Sequence, residues 1–394
     1  MKPRIFINMH YMEIGGAERA LLGLLNAIDT NKVDVDLFIN QHTGEFMKLI
    51  PNKINLLPEN SVYSVIEKPI VTALRKGHLA IVLTRLLAKI KYKLKYIFRI
   101  EEDAAIFNLV AKYTTPLLPS LNNYGEYDLA ISFLTPHNIV KDKVNAKQKI
   151  AWIHTDYTKV TIDAESELPI WDSYDKIISI SEDVTKTFTQ VFPSLKDKII
   201  VIENILSPQF IKDQASLFKP EEMCGDFIKI CSIGRFCFAK NFENIPIIAQ
   251  ILKENGLRFK WYIIGYGDTT ETIENIKKTN TNECVVLLGK KDNPYPYIAN
   301  CDIYVQPSRY EGKSVTVREA QILCKPVIIT NYPTSSSQIT NTVDGIICDI
   351  DNKAIANAIY NLIQDNELQS KIIEYLSTLD YGNENEINKL YHLL

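Results

Sequence analysis

The chain has 394 residues, of which 46% are apolar, and a formal net charge of −3. Because a single hydrophobic core rarely extends beyond about 250 residues, this length predicts two domains. The nearly balanced charge excludes the strong basic field of proteins that follow nucleic-acid backbones, so nucleic acid is not an expected partner.

The seven cysteines are odd in number and include no C-x-x-C pair. This pattern predicts reduced thiols and a cytoplasmic location. The N-terminal stretch MKPRIFINMH lacks the apolar core of a signal peptide. No run approaches the roughly 18 apolar residues of a spanning helix. We therefore expect any contact with the inner face of the plasma membrane to be peripheral.

Short apolar runs rich in β-forming residues recur along the chain, with helical patterns between them. In the first half they lie at 4–8, 35–40, 128–133, 149–154, 176–181 and 199–204. In the second half they lie at 228–234, 260–267, 285–289, 302–308, 326–330 and 345–349. Apolar strands that alternate with helices predict parallel sheets covered on both faces.

The predicted fold class is therefore α/β, with two doubly wound, Rossmann-like parallel-sheet domains that face an interdomain cleft. We assign residues 1–205 to the first domain and residues 227–375 to the second. The polar segment 206–226 has two prolines and no clear period, so it is predicted to be a linker. Residues 376–394 are expected to form a C-terminal helix that crosses back to the first domain. In such sheets, ligands bind outside the carboxyl ends of the strands.

The first motif in chain order is NMHYMEIGGAERALLGLL, in which Gly15 and Gly16 separate the first strand from a helix. Two interpretations remain open. The glycines bring backbone N–H groups at the helix start close to an anionic substrate, or they only make a tight turn.

Residues 75–99 contain eight Lys or Arg and no acidic residue, interleaved with leucine, isoleucine and valine. This is the pattern of a basic amphipathic helix, which can lie on an anionic membrane surface. The alternative is a solvated helical hairpin that covers the acceptor side of the first domain. The sequence does not decide between them.

Arg235 and Lys240 lie five positions apart in SIGRFCFAKNFENI, between a strand and a helix expected to begin near Asn241. Two cations beside a helix N-terminus suit a diphosphate, whose charge must be stabilised as it leaves. The alternative interpretation is two solvated loop cations. Gly234, which directly precedes Arg235, is assigned to the same site.

The stretch IIGYGDTT, which includes Gly265, raises an oxidoreductase alternative because a strand is followed by G-x-G. The position of the third glycine in the dinucleotide fingerprint is Thr270, and no acidic residue stands out at the end of the next strand. NAD(P) binding is therefore the weaker hypothesis.

The stretch SRYEGKSVTVREAQIL puts Glu311 on a loop after a strand and Glu319 on the following helix. A nucleotide-diphosphate sugar fits this order. Sugar hydroxyls would meet Glu311, the diphosphate would meet the helix start, and ribose hydroxyls would meet Glu319. The residues between the two glutamates that we assign to substrate binding are Gly312, Lys313, Ser314, Val315 and Thr316.

The segments GRFCFAKN and PSRYEGKSVTVREAQ resemble the retaining GT-B glycosyltransferases, specifically glycosyltransferase family four within glycosyl transferases group 1. That family has two glutamates separated by seven residues, matched here by Glu311 and Glu319. It also has an Arg and Lys pair on the diphosphate, matched by Arg235 and Lys240. WIHTDY places His154 where the family has a histidine beside the donor sugar.

The resemblance implies a glycosyltransferase that takes sugar from a UDP or GDP donor, without a metal or a cofactor, for cell-surface polysaccharide. The implied catalytic residues are His154, Arg235, Lys240 and Glu311. The first domain would bind a glycan or polyprenyl-linked acceptor and the second the nucleotide sugar. Metal independence has separate support, because the D-x-D pairs at 34–36 and 349–351 lie in a predicted strand and before a helix. A non-catalytic nucleotide-sugar-binding module is the remaining alternative.

Overall fold

The computed structural model describes residues 2–66, 68–95, 104–155, 157, 160, 162–311 and 314–394. The chain forms two compact units. Unit 1 comprises Met1–Ile205 together with Asn383–Leu394, and unit 2 comprises Leu206–Gly382.

Unit 1 is built on a seven-stranded sheet in which every pair of neighbours is parallel. Its strands are β1 Arg4–Met9, β2 Asp34–Ile39, β3 Asn55–Leu56, β4 Tyr127–Ser132, β5 Ala146–Ile153, β6 Lys176–Ser179 and β7 Ile199–Val201. The order across the sheet is β3-β2-β1-β4-β5-β6-β7. The sequence predicted all of these strands except β3, which has only two residues and therefore no readable period.

The helices of unit 1 that precede residue 205 are α1 Gly16–Ala27, α2 Ser61–Ser64, α3 Ile70–Arg75, α4 Leu79–Lys95, α5 Ala104–Thr114, α6 Asn138–Lys143, α7 Ala164–Asp172 and α8 Glu182–Val191. Helices α4 and α5 pack on each other through a small apolar cluster of their own, which includes Ala88, Tyr92 and Leu109. The predicted basic helix at 75–99 is observed as α4, and residues 96–99 lie outside the described residues.

Unit 2 contains a second parallel sheet of six strands in the order β10-β9-β8-β11-β12-β13. Its elements are α9 Pro208–Ala215, β8 Ile228–Ile233, α10 Ile245–Glu254, β9 Phe259–Ile264, α11 Thr270–Thr279, β10 Val285–Gly289, α12 Tyr295–Asn300, β11 Ile303–Gln306, α13 Val315–Ile322, β12 Val327–Thr330, β13 Ile346–Cys348, α14 Asn352–Gln364 and α15 Asn366–Thr378. Separate apolar cores flank the sheet. The prediction of two doubly wound parallel sheets is confirmed.

The segment predicted to be a linker contains α9 and belongs to unit 2. Ile211, Ala215 and Met223 of this segment are buried in one of the two cores of that unit. The helix has only eight residues, so the amphipathic period spans barely two turns and is hard to read among the surrounding polar residues. Ser207 caps it by accepting a hydrogen bond from the Phe210 backbone N–H.

The C-terminal residues belong to unit 1, where α16 Ile387–Tyr391 packs. Leu390 is fully buried, and the Tyr391 hydroxyl accepts a hydrogen bond from the Asp29 backbone N–H at 2.8 Å. Glu386 accepts one from the Glu203 N–H at 3.0 Å. The boundary between the two units falls between Gly382 and Asn383, after α15. The sequence predicted that the C-terminal helix starts at residue 376.

Each sheet has one topological switch point, where the crossovers change direction. In unit 1 it lies between β1 and β4, and in unit 2 between β8 and β11. Ligands of open α/β sheets bind in the crevice outside the carboxyl ends of the two strands at such a point. The loops after these four strands are therefore the positions where topology predicts function.

Unit 1 also buries a carboxyl group, that of Glu167 on α7. Its Oε1 accepts a hydrogen bond from Asn108 Nδ2 at 2.7 Å, and the residue is 2% exposed. Burial raises the pKa of Glu167 to about 7, since removal from water disfavours the charged form. The nearby Asp163 carboxylate adds to the increase.

We predict that Glu167→Gln flattens the pH dependence of unit 1 stability. Between the ordinary glutamate pKa and about 7, folded Glu167 keeps a proton that the unfolded chain has released. The free energy of unfolding therefore falls as pH rises through this window, by up to about 3 kcal/mol. Thermal unfolding at pH 5 and pH 8 should show the variant relatively more stable at pH 8. Glu165→Gln, at an exposed position of the same helix, is the control, and equal pH responses in the two variants would refute the assignment.

Candidate functional site

The loops after β8 and β11 lie beside each other at the switch point of unit 2, and the first carries Arg235 and Lys240 while the second carries Glu311. Lys240 Nζ donates a hydrogen bond to Glu311 Oε1 at 2.5 Å. The two side chains are only 19% and 12% exposed. Partial removal from water strengthens their attraction, since the local dielectric constant is lower than in bulk solvent. The structure thus brings Lys240 and Glu311 together as an ion pair.

A chain of buried polar groups holds the Glu311 carboxylate in place. Ser308 Oγ donates to Glu311 Oε1 at 2.6 Å, and Gln306 Nε2 donates to Ser308 Oγ at 3.0 Å. The Tyr304 hydroxyl in turn donates to Gln306 Oε1 at 2.8 Å. Tyr304, Gln306 and Ser308 are fully buried. Because every member has a partner within the unit, the network fixes the carboxylate before any ligand arrives.

Arg309 ties the two loops to each other. Its backbone N–H donates to the Ala239 carbonyl at 2.8 Å, and Nη1 donates to the Phe238 carbonyl at 2.6 Å. Nη1 also forms an ion pair with Glu243, and the guanidinium lies 4.2 Å from the centroid of the Phe238 ring. These contacts keep the Lys240 loop against the Glu311 loop.

The Ser308 network and Arg309 were not singled out from the sequence. One signal was present, since Gln306 is a polar residue that ends an otherwise apolar, fully buried strand. A buried amide needs hydrogen-bond partners, which could have pointed to Ser308 two positions later. The role of Arg309 depends on a loop that is about seventy positions away in sequence, and no local pattern reveals it.

Gly234 and Gly265 let the loops after β8 and β9 approach closely. A Cβ atom at position 265 would lie 1.8 Å from the Gly234 carbonyl oxygen, so only glycine fits there. A Cβ atom at position 234 would lie 3.2 Å from Cε of Lys240. Gly265 therefore allows the two loops to meet, and Gly234 leaves room for the Lys240 side chain. Contact of either glycine with a substrate stays a prediction.

Arg235 is directed toward the loop after β9. Its Nη2 donates to the Tyr266 hydroxyl at 3.1 Å, and its guanidinium lies 5.3 Å from the centroid of the same ring. Arg235 is exposed. Lys290 Nζ lies 5.6 Å from the Tyr266 ring centroid. The helix after the β8 loop, α10, begins at Ile245 and not near Asn241 as the sequence predicted. Asn241 instead has a left-handed conformation with φ of 60°.

The start of α13 differs in part from expectation. The Ser314 N–H, expected to meet phosphate, donates to Gln338 Oε1 at 3.1 Å, and Gln338 Nε2 returns a bond to the Ser314 carbonyl at 2.5 Å. Val315 and Thr316 form the first turn, whose N–H groups have no acceptor within the helix. Gly312 and Lys313 lie outside the described residues.

Glu319 is not on the helix surface, because its side chain is fully buried. Its Oε1 accepts a hydrogen bond from the Tyr295 hydroxyl of α12 at 3.0 Å. The expectation that Glu319 meets ribose hydroxyls requires an opening to this carboxylate, which the described conformation does not provide. Glu319 therefore lies on the side of α13 that contacts α12.

In unit 1, Gly15 is the N-cap of α1 and Gly16 its first residue. A Cβ atom at position 15 would lie 2.1 Å from an Oε atom of Glu18, whereas position 16 has open space around it. Glu18 is 6% exposed and occupies the third helical position, from which a glutamate can reach back to the helix start. The Glu18 carboxylate therefore lies near the helix start, where the sequence predicted an anionic substrate.

His154 follows β5 and stacks near two aromatic side chains. Its ring centroid lies 4.5 Å from that of Phe133 and 6.1 Å from that of Trp152. Burial lowers the pKa of His154 to about 3, and a hydrogen bond with the Phe133 backbone opposes the shift. The imidazole is therefore neutral at physiological pH. Its Nε2 is buried and has no hydrogen-bond partner among the described residues.

One carboxylate of each D-x-D pair has a structural role. Asp36 lies on β2, where it accepts hydrogen bonds from Arg4, Tyr127 and Asn55. Asp351 is the N-cap of α14 and accepts from the backbone N–H groups of residues 353 and 354, as the sequence predicts.

Part of the chain matches a known protein family. Residues 213–377 match the model of the family described as glycosyl transferases group 1. The capsular polysaccharide biosynthesis glycosyltransferase CapM of Staphylococcus aureus is 30% identical over 205 residues, 50% of this chain and 54% of that protein. The chain is 27% identical to an N-acetylgalactosaminyltransferase of Campylobacter jejuni whose name gives a diphospho-undecaprenol substrate, over 36% of this chain and 38% of that one. The matches thus span about half, or less, of these relatives.

The solved structure of Anabaena HepE with UDP and glucose is similar over 99% of this chain and 98% of that one, with a TM-score of 0.65 and 14% identity. TarM is similar over 100% and 99% of the two chains, with a TM-score of 0.61 and 15% identity. At these identities the similarity shows the fold. Residues 213–377 therefore match the model of the glycosyl transferases group 1 family, and the chain has the GT-B fold.

Proposed function

We propose that the protein is a retaining glycosyltransferase that moves a sugar from a nucleotide-diphosphate sugar to a glycan or lipid-linked acceptor in cell-surface polysaccharide synthesis. The observation that carries the proposal is the Lys240–Glu311 ion pair at the switch point of unit 2. This pair lies within the segment that matches the family.

In this proposal the ion pair holds the two halves of the donor. Lys240 binds the diphosphate and stabilises the negative charge that develops as the sugar departs, with Arg235 and the first turn of α13 as further donors. The contacts of Glu311 with Ser308 and Lys240 are both made through Oε1. A sugar hydroxyl can donate to Oε2 of the same carboxylate. The nucleotide and the sugar are thus recognised by adjacent groups of opposite charge.

We further infer that transfer proceeds on one face of the sugar without a metal. One carboxylate of each D-x-D pair is already used, since Asp36 accepts hydrogen bonds from neighbouring side chains and Asp351 caps a helix, and the proposal assigns the diphosphate to cations and backbone N–H groups. The leaving phosphate oxygen takes the proton of the acceptor hydroxyl as the new glycosidic bond forms. Neutral His154 is suited to hydrogen bonding with a sugar hydroxyl, because its low pKa keeps Nε2 uncharged.

UDP is the first donor nucleotide to test, since the HepE structure is described as a complex with UDP and glucose. The NAD(P) alternative loses its main support, because Gly265 is explained by its contact with Gly234. The binding-module alternative gives no reason for a preorganised carboxylate beside the phosphate-binding cation.

We predict that one nucleotide sugar among UDP-, GDP-, ADP- and dTDP-sugars raises the melting temperature of the parent protein. Lys240→Met should raise the Kd of that compound at least tenfold, because a charge-assisted contact of about 1.5–3 kcal/mol is lost. Lys278→Met is the matched control, since Lys278 forms an exposed ion pair with Glu274 in the same unit. Calorimetric titration of the nucleotide sugar measures the Kd for both variants. The proposal would be refuted if NAD(P) raised the melting temperature of the protein and none of the four nucleotide sugars did.

We predict that Ser308→Ala impairs recognition of the sugar and spares recognition of the nucleotide. Loss of its hydrogen bond frees the Glu311 carboxylate to rotate, so kcat should fall about tenfold, a cost of 1–2 kcal/mol. Binding of the free nucleoside diphosphate should stay unchanged. The control is Ser232→Ala, whose buried hydroxyl donates to the Val305 carbonyl. If the nucleoside diphosphate and the nucleotide sugar both lose affinity equally, Ser308 has only a structural role.

Peripheral membrane binding through α4 is part of the proposal. No described helix is long and apolar enough to cross a membrane. The outward face of α4 exposes a row of apolar side chains, with Leu83 66%, Ile90 57% and Leu94 70% exposed. The helix carries five cations and no acidic residue. Apolar groups flanked by cations favour an anionic lipid surface. Two of the cations also have contacts within the unit. Lys91 Nζ donates to the Tyr113 hydroxyl, and Lys95 forms an ion pair with Asp163.

We predict that Leu83→Asn combined with Ile90→Asn and Leu94→Asn abolishes flotation of the protein with phosphatidylglycerol vesicles. Three apolar side chains lose their favourable transfer to the lipid interface, while their positions on the outward face leave the core of unit 1 unchanged. Leu217→Asn, at a 64% exposed position of unit 2, should float like the parent. Binding should also weaken with added salt. Undiminished flotation of the triple variant would exclude α4 as the contact.

A further inference from the structure

The segment 330–338 begins at the last residue of β12 and has the sequence TNYPTSSSQ, in which five residues are Thr or Ser. Strand β12 is the neighbour of β11, which precedes the Glu311 loop. Because the two strands are parallel, the segment and the Glu311 loop leave the sheet at the same edge. None of the side chains of the segment is among the proposed donor contacts.

Two threonines of the segment bind the backbone of the Glu311 loop. Thr330 Oγ1 donates to the Ser308 carbonyl, and Thr334 Oγ1 donates to the Glu311 carbonyl at 2.8 Å. Thr330 and Ser308 are fully buried. Buried carbonyl groups keep their hydrogen-bond donors because an unmade bond costs free energy. The two bonds therefore restrict the backbone from which the Ser308 hydroxyl and the Glu311 carboxylate extend.

Gln338 binds the residue that precedes α13. Its Nε2 donates to the Ser314 carbonyl at 2.5 Å, and its Oε1 accepts from the Ser314 N–H at 3.1 Å. The Tyr332 hydroxyl also donates to Oε1, at 3.3 Å, which fixes the direction of the amide. Gln338 is 4% exposed. Both backbone groups of Ser314 are thus held by one side chain, directly before the first turn of α13.

The segment is fixed at both of its ends. Thr330 belongs to β12, which lies between β11 and β13. Ile339, which follows the segment, is 2% exposed and packs in one of the two cores of unit 2. Its N–H donates to the Ser335 carbonyl at 2.9 Å, and the Ser335 N–H donates to the Tyr332 carbonyl at 2.9 Å. Side chains on a backbone held in this way can keep a neighbouring loop in place without a ligand.

We propose that Thr334 and Gln338 are positioning residues of the donor site and have separate tasks. Thr334 orients the Glu311 carboxylate toward the sugar by holding the Glu311 backbone. Gln338 orients the first turn of α13 toward the diphosphate by holding Ser314. Neither side chain contacts the donor in this assignment. It rests on the proposed glycosyltransferase function, whereas the hold on the loop is measurable without a ligand.

Hydrogen exchange of the free full chain tests the hold on the loop. Gln338→Met keeps a side chain of similar length and removes both bonds to Ser314, and Thr334→Val removes the hydroxyl. In each variant the amides of residues 308–316 should exchange about tenfold faster, because local opening breaks fewer hydrogen bonds. Ser337→Ala is the control, since the exposed Ser337 hydroxyl bonds only within the segment, to the Thr334 carbonyl. Unchanged exchange at 308–316 in both variants would overturn the assignment.

Calorimetric titration separates the two tasks. UDP-glucose, UDP and uridine are the first probes, and the matching GDP, ADP or dTDP set replaces them if that nucleotide stabilises the parent. Gln338→Met should raise the Kd of UDP about tenfold and leave the Kd of uridine unchanged, because only UDP has the diphosphate. Thr334→Val should leave the Kd of UDP unchanged and lower kcat for hydrolysis of UDP-glucose to UDP and glucose about tenfold. Thr334→Ser, which keeps the hydroxyl, should restore kcat.

A role in folding alone would lower the melting temperature of the variants and leave these ratios as in the parent, which would overturn the assignment. If the parent binds and hydrolyses UDP-glucose and both variants match it, the proposed function stands and the positioning roles fail. If the parent binds none of the nucleotide sugars, the proposed function fails and the roles at the donor fail with it.

Discussion

The contact between Lys240 and Glu311 is the interaction on which the candidate site of unit 2 depends. It joins two loops about seventy residues apart in sequence, and it brings opposite charges to 2.5 Å in a place that is mostly shielded from water. An ion pair of this kind is stable only if other groups hold both partners. Ser308 holds the carboxylate, Arg309 holds the two loops together, and Gly234 leaves room for the lysine stem.

The same arrangement makes the site rigid. Tyr304, Gln306 and Ser308 are buried and hydrogen-bonded to one another, so these side chains have little conformational entropy left to lose if a ligand binds. In the proposed function, Lys240 exchanges its contact with Glu311 for one with the diphosphate of the donor.

The two units cover the same sheet topology in two different ways. At the switch point of unit 2, the loops carry charged and small residues that leave backbone accessible. At the switch point of unit 1, the loops instead border a cavity that α4 and α5 close with apolar side chains and two cations. The difference lies in the elements that cover each edge, since both sheets are parallel and similarly ordered.

The sequence by itself determined the two parallel sheets and twelve of their thirteen strands, because each strand is a short apolar run bounded by polar residues. It also placed Lys240 and Glu311 after two strands, which the structure shows to be neighbours. Only the tertiary structure decided that Glu319 faces the core, that residues 208–215 form a packed helix and that Arg309 joins two loops. The physical reason is that strand formation is encoded by local periodicity, whereas burial and pairing depend on groups that are distant along the chain.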